Sequence, residues 1–356
     1  MPAFHQNKVS DTAPSEPPSE TPSVAISSSA GENHTYALSS VVKQKFRTGH
    51  RGYADATFRW LAITCGLAIL AIVGLILFEL ITQSHLSLQK FGFKFLAKSI
   101  WDPNADDFGA LPFIYGTLVS SFLGLLIAVP LSVGTALFLT EICPRRIRAV
   151  LSLCVELLAA IPSVIYGLWG IFVLVPFLRQ HLEPFLQNYF QWTGLFNGPK
   201  IGFGMLAAGI IIAIMILPII SSISREVIVA VPRQQREAAL AMGATKWEML
   251  RMAVLRNARP GIFGAIILGL GRAFGETMAV TMVIGNRPEI ARSLFAPGDT
   301  LASSIANQFN EATTPLYQHA LVEMGLVLFV LTLLVNALAG LLVWSITRGQ
   351  PARGLA

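Results

Sequence analysis

Arg272 and Glu276 stand out because charge is scarce around them. The stretch from Arg259 to Gly285 reads RPGIFGAIILGLGRAFGETMAVTMVIG. Pro260 reads as the start of a helix, which puts Arg272 roughly 18 Å along it at about 1.5 Å per residue. That is near the middle of a hydrocarbon layer about 30 Å thick. An arginine there is costly unless it faces a protein interior or an aqueous path. Residues four apart on a helix share a face, so Glu276 can meet Arg272. Two roles fit the pair. It can lock a bundle together. Alternatively, Arg272 faces a route and offers an anion a charge-assisted hydrogen bond, while Glu276 limits how tightly the anion is held.

Further polar groups lie in apolar runs. Thr117, Ser120 and Ser121 are candidate pathway hydroxyls, and equally candidates for helix–helix contact through small residues. Ser163 and Tyr166 flank a kink at Pro162, which frees a backbone carbonyl that some group must satisfy. Glu141 closes an apolar run just before Pro144 and Arg145, where it can pair with a basic loop or serve a gate. Glu156 reads as about one third into the third apolar run and needs a polar partner or water. Cys65, Cys143 and Cys154 form no closely spaced pair, which argues against a metal site. No G-x-x-x-x-G-K-[ST] occurs, so ATP is not held by a P-loop, and no nucleophile–base constellation is present. The residues point to a transporter without chemistry or a cofactor of its own, not to an enzyme.

The elements that must position these groups are membrane helices. Of 356 residues, 53% are hydrophobic and 13% charged, with mean hydropathy +0.60. A soluble domain carries about twice that charged share. The chain reads as an all-α polytopic membrane protein with six spans, at about 59–82, 113–141, 149–177, 201–223, 261–285 and 320–346. Residues 1–55 are rich in Ser, Pro and Thr and are predicted to be a disordered tail. Residues 83–112 and 178–200 read as outer loops. Residues 113–347 form a core of five spans, with a loop at 227–260 and a tail at 348–356. Basic residues crowd the first arm, the second-to-third connection, the fourth-to-fifth connection and the C-terminal end. That side is therefore cytoplasmic, with both termini inside. No basic patch is interleaved with exposed aromatics, which argues against nucleic acid as a partner.

The 227–260 loop has its own punctuation. Pro232 starts a short helix from Arg233 to about Met242, and Gly243 breaks it. Thr245 and Glu248 have capping-box spacing and open a second short helix, expected to end before Pro260. Ala238, Ala239 and Ala241 make a small-residue surface flanked by Arg233, Arg236 and Glu237. A docking surface and a loop packed on the bundle both fit this pattern.

Glu237-Ala238-Ala239 followed by Gly243 resembles the EAA loop of ABC-importer permeases. The apolar residues that usually precede the later proline are absent here, where the sequence is Arg256-Asn257-Ala258-Arg259-Pro260. Other stretches resemble permease subunits of phosphate-specific ABC importers, of the PstC type more than its PstA-type partner. They are Phe108-Gly109-Ala110-Leu111-Pro112, Tyr115-Gly116-Thr117-Leu118, Ala128-Val129-Pro130, Leu139-Thr140-Glu141, Ala160 to Gly167 (AIPSVIYG), and Gly271 to Thr277 (GRAFGET). The resemblance covers about residues 59–347. It implies a type I (MetI-like) bundle in the cell inner membrane that imports inorganic phosphate. It also implies a homologous PstA-like permease as heterodimer partner, a cytoplasmic ATPase dimer and an outer phosphate-binding protein. ATP and Mg would be used by the ATPase, which would dock on Arg233, Arg236, Glu237, Ala238, Ala239 and Gly243. The alternatives are a permease for another oxyanion and an ion-coupled secondary transporter.

Overall fold

The computed structural model describes residues 51–347. The tail expected over 1–55 lies almost wholly outside these residues, and that expected over 348–356 lies wholly outside. The described chain is helical: α1 (Arg51–Gln83), α2 (His85–Phe91) and α3 (Lys94–Ala97) come first. They are followed by α4 (Leu111–Ile142), α5 (Arg145–Ala160), α6 (Ser163–Thr193) and α7 (Met205–Ala230). Then come α8 (Arg233–Ala241), α9 (Lys246–Gly275), α10 (Met278–Ile284), α11 (Leu301–Gln308) and α12 (Pro315–Thr347). Among the described residues, six helices are long and apolar enough to cross a membrane: α1, α4, α6, α7, α9 and α12.

Residues up to Ala68 form a unit of their own. Its described part, from Arg51, is helical throughout, with side chains all exposed from Asp55 on. In the second unit, from Ile69 onward, α7 is the most buried span. Its isoleucines Ile211, Ile212, Ile216 and Ile220 pack with Ala128 of α4, Leu174 of α6, Ala265 of α9 and Val283 of α10. Small residues permit the close approach. A Cβ on Gly124 would stand 2.6 Å from an Ile212 methyl, and one on Gly209 would stand 2.6 Å from Leu123. In the most apolar stretch of α12 no residue is fully buried within the chain, as suits a helix with one face open to lipid or another subunit.

Several boundaries differ from the sequence expectation, the fourth span running on to Ala230 instead of ending at about 223. The third span does not run 149–177. Pro162 interrupts it, so α5 is a separate helix carrying Arg145, Arg146, Arg148 and Glu156. The membrane helix then runs from Ser163 to Thr193, through most of the expected outer loop. The fifth span does not start at Pro260 either. Helix α9 begins at Lys246, passes through Pro260 and ends at Gly275. Wide π turns at Gly170–Leu174, Leu178–Leu182 and Leu250–Leu255 stand shortly before Pro176, Pro184 and Pro260. A wider turn accommodates the missing N–H and the ring's clash with the preceding turn, so these prolines do not stop their helices.

Candidate functional site

Two helix breaks organise the site. A proline disfavours the helical conformation in the residue before it. Ile161 is accordingly extended, at φ −69° and ψ 128°. Pro162 has no N–H to give the Leu158 carbonyl, and the Tyr166 hydroxyl donates to that carbonyl at 2.7 Å. The second break carries no proline. Glu276 leaves the helix at φ −69° and ψ 121°, and Thr277 follows at φ −111° and ψ −69°. One Glu276 carboxylate oxygen accepts the Ala279 N–H at 3.4 Å, a long bond at the start of α10. Just past both breaks, Gly167 of α6 packs on Ala279 and Met282 of α10, where any side chain at 167 would collide with the Met282 sulfur.

This corrects the expected geometry of the charged pair. Arg272 lies in the last turn of α9, not in mid-helix, and Glu276 is off that helix. Among the described residues the ion pairs are Lys98–Asp107, Arg225–Glu156 and Arg236–Glu141, and Arg272–Glu276 is not one of them. Arg272 is exposed in this chain and Glu276 half-buried. The cation also suits the carbonyl-rich end of α9. Arg272 and the Ser163 hydroxyl both act on the Glu276 carboxylate, and Arg272 acts on Tyr166. Arg272, Glu276, Ser163 and Tyr166 therefore gather where the two breaks meet.

The other expected pathway hydroxyls bond elsewhere. Thr117, Ser120 and Ser121 are buried on α4. Thr117 Oγ1 donates to the Phe113 carbonyl at 2.7 Å and accepts the Leu301 N–H at 3.0 Å, so it anchors α11. Ser120 donates to the Gly116 carbonyl at 2.7 Å, and the buried Ser121 hydroxyl has no partner.

The 227–260 loop matches its punctuation at the start. Pro232 precedes α8, and Gly243 sits at φ +85°, where glycine is favoured. The Thr245–Glu248 capping box is formed in both directions and opens α9. Arg233, Glu237, Ala238 and Gly243 are exposed, whereas Ala239 is buried. Arg236 turns inward. It bonds Glu141 at 3.0 Å and donates to the carbonyls of Val231 at 2.6 Å and Ile228 at 2.8 Å. Glu141 is thus the tie between the end of α4 and α8. Glu156, expected within the third span, lies on α5 and pairs with Arg225 at 2.9 Å.

Sequence reasoning missed two features. Leu240, Met242 and Trp247 are exposed around α8, and three large apolar residues in a polar loop are a legible sign of a covered surface. Asp299 is 1% exposed between α10 and α11. One of its oxygens accepts the Thr300 N–H at 2.8 Å and the Ser303 hydroxyl. Burial pushes its carboxyl up to about 6. An acid next to Thr300, between the fifth and sixth expected spans, gave no signal of burial.

Comparison with known proteins agrees with this architecture. Residues 120–348 match the family model described as binding-protein-dependent transport system inner membrane component. The phosphate transport system permease protein PstC of Mesorhizobium japonicum is 46% identical over 303 residues, covering 81% of this chain and 93% of that one. The protein of the same name from Haemophilus influenzae is 42% identical, covering 85% and 96%. A probable one from Methanocaldococcus jannaschii is 38% identical, covering 70% and 81%. A bacterial ABC transporter structure involved in alginate import shares the fold. Its TM-score is 0.57 at 18% identity, over 84% of this chain and all of that one.

Proposed function

This chain belongs to the family of binding-protein-dependent transport-system inner-membrane components, and on that premise we propose that it is a permease subunit of an ATP-driven phosphate importer. Its substrate is inorganic phosphate. It works beside a homologous PstA-like permease, a cytoplasmic ATPase dimer and an outer phosphate-binding protein. The observation that carries this reading is the exposed Arg272 guanidinium where two broken membrane helices meet, in a chain so similar to permeases named for phosphate transport.

Arg272 offers phosphate charge-assisted hydrogen bonds. Glu276 and the Ser163 hydroxyl stand beside it and keep the anion from being held too tightly to leave. Tyr166 fixes the backbone of the first break. Thr117 ties α4 to α11 and Ser120 bonds its own helix, so neither hydroxyl is free for the anion. The ATPase docks on Glu237, Ala238 and Arg233, with Leu240, Met242 and Trp247 completing the surface. Helix α9 links that surface to the site, running from Lys246, just after the Thr245 cap, to Arg272 over about 39 Å at about 1.5 Å per residue. Closure of the ATPase dimer on ATP moves this rod, and hydrolysis resets it. The two states must differ in their contacts with phosphate for the coupling to work.

Reconstitution of the four kinds of subunit in liposomes tests the function. Phosphate uptake that requires the ATPase, and ATP hydrolysis stimulated by phosphate-loaded binding protein, are expected. Uptake that persists without the ATPase contradicts the reading.

A further inference from the structure

An apolar hollow of about 570 Å³ stands between α12 and the short helices α2 and α3. Leu326, Val327, Val330 and Leu334 form its α12 wall, at the three-and-four spacing of one helix face. Leu88 of α2 and Phe93, just before α3, face them across the hollow. Val330, Leu334 and Phe93 are also exposed, so the hollow opens sideways to the bilayer. Its volume is that of an ordinary ligand pocket, about 300–1,000 Å³. One carboxyl interrupts the apolar lining. Glu323 lines the hollow, is 3% exposed, and has one oxygen without a hydrogen-bond partner. Ser87 of α2 is its polar neighbour. Neither helix break and no part of the α8 surface uses Glu323. An ionisable side chain inside a membrane span that has no such task points to a ligand.

We propose that this hollow binds one glycerophospholipid of the outer leaflet, with an acyl chain along α12 and a glycerol ester carbonyl on the Glu323 carboxyl. Depth favours this occupant. The apolar span Pro315–Ser345 has 31 residues, about 46 Å at about 1.5 Å per residue. Centred on a hydrocarbon layer about 30 Å thick, it overhangs by about 8 Å at each end. Glu323 then lies about 4 Å below the outer boundary, and Leu334 about 16 Å deeper. The wall therefore spans one leaflet, with its polar group at the level of the lipid esters and an apolar slot as deep as an acyl chain. An unpaired carboxylate is costly among apolar side chains, whereas the acid form is tolerated and carries one O–H donor. An ester carbonyl accepts that bond and brings no charge. The exposed Lys94, next to Phe93 at the start of α3, is the cation nearest in sequence for the lipid phosphate. Bound in this way, the lipid holds α2 and α3 against α12. The inference needs only the membrane placement of the chain, not the identity of its cargo.

The test uses the purified transporter complex in nanodiscs, with phosphatidylethanolamine carrying a diazirine on one acyl chain as probe. Illumination should label the 326–334 segment several times more strongly than Phe172 and Val173, which are exposed apolar residues of α6. Unlabelled diester phosphatidylethanolamine should compete about tenfold better than its diether analogue, which has no ester carbonyl. Glu323→Leu should abolish that preference, and Glu323→Gln, which keeps an N–H donor, should retain most of it. Val330→Trp fills the hollow and should remove most of the labelling with Glu323 intact. Equal labelling of the two regions overturns the proposal, as does equal competition by the diester and diether lipids in the unaltered complex. No label on the 326–334 segment means that another subunit covers it, and overturns the proposal too. Should the variants fail to assemble, the lipid comparison in the unaltered complex decides.

Discussion

At Pro162 the helix is interrupted by a residue that cannot continue it, and the carbonyl left over is taken by Tyr166 at 2.7 Å. At Glu276 nothing in the backbone chemistry forbids a helix. That break is held by a long carboxylate contact to Ala279 at 3.4 Å and by a charged neighbourhood. The first break is therefore fixed by covalent structure, the second by contacts that can be made or lost. The second also ends α9, the one helix that carries both the Thr245 cap and Arg272. The pair teaches where motion can enter. A rigid first break gives the second a surface, through Gly167, against which to shift.

The largest effect is expected at Arg272. Arg272→Gln should lower phosphate uptake by roughly a hundredfold or more, since it removes the proposed charge-assisted contact to the anion. Assembly, read by co-purification of the subunits, should survive. Normal uptake at equal protein level would leave Arg272 as a dipole partner for α9 and no more. Glu237→Lys comes next. It should cut ATPase co-purification and coupled uptake about tenfold while leaving the breaks untouched, because a charge reversal at a docking surface acts on association. Unchanged co-purification would remove the docking role.

Much of this layout was legible in the sequence, and the reasons for the rest are specific. The apolar runs revealed six spans, and Pro232, Gly243 and the Thr245–Glu248 spacing marked α8 and the start of α9, because caps and breakers act locally. Pro162 was read as a kink for the same reason. Pro260 was misread as a start because a π turn upstream lets the helix pass through it. The break at Glu276 was not read because tertiary contacts hold it, so a one-turn pair with Arg272 was expected. Arg236 and Arg233 look alike in sequence. Only the placement of Glu141 and the Val231 and Ile228 carbonyls turns Arg236 inward.

A smaller effect separates the breaks. Tyr166→Phe leaves the Leu158 carbonyl without its strongest donor, at a cost of about 1–3 kcal/mol. It should lower the melting temperature of the complex while much of the transport remains. Glu276→Gln should do the reverse, with little change in melting and a clear fall in uptake. Equal behaviour of the two variants would erase the distinction between a structural and a mobile break. The smallest effect concerns Asp299. Its carboxyl lies above the ordinary 3.8, at about 6, so the folded state holds the proton more tightly than the unfolded one. Its contribution to stability is complete below about 4 and is lost as pH rises through about 6. The complex should melt higher at about pH 5 than at about pH 8 through this group, and Asp299→Asn should flatten that slope. An unaltered slope in the variant would assign the dependence to other residues.

Spin-label distances in the assembled transporter test the central claim, that α9 moves as one rod and the Glu276 break yields. Cys65, Cys143 and Cys154 are first replaced. One label pair, Leu268→Cys with Asn286→Cys, spans the second break. A second, Leu153→Cys with Leu168→Cys, spans the first, and a third, Met252→Cys with Leu268→Cys, lies within α9. On trapping the complex with ATP, the first distance should change by several ångströms, about the scale of one helical turn, while the other two hold. A fixed distance across Glu276, or a changed one within α9, would contradict the account.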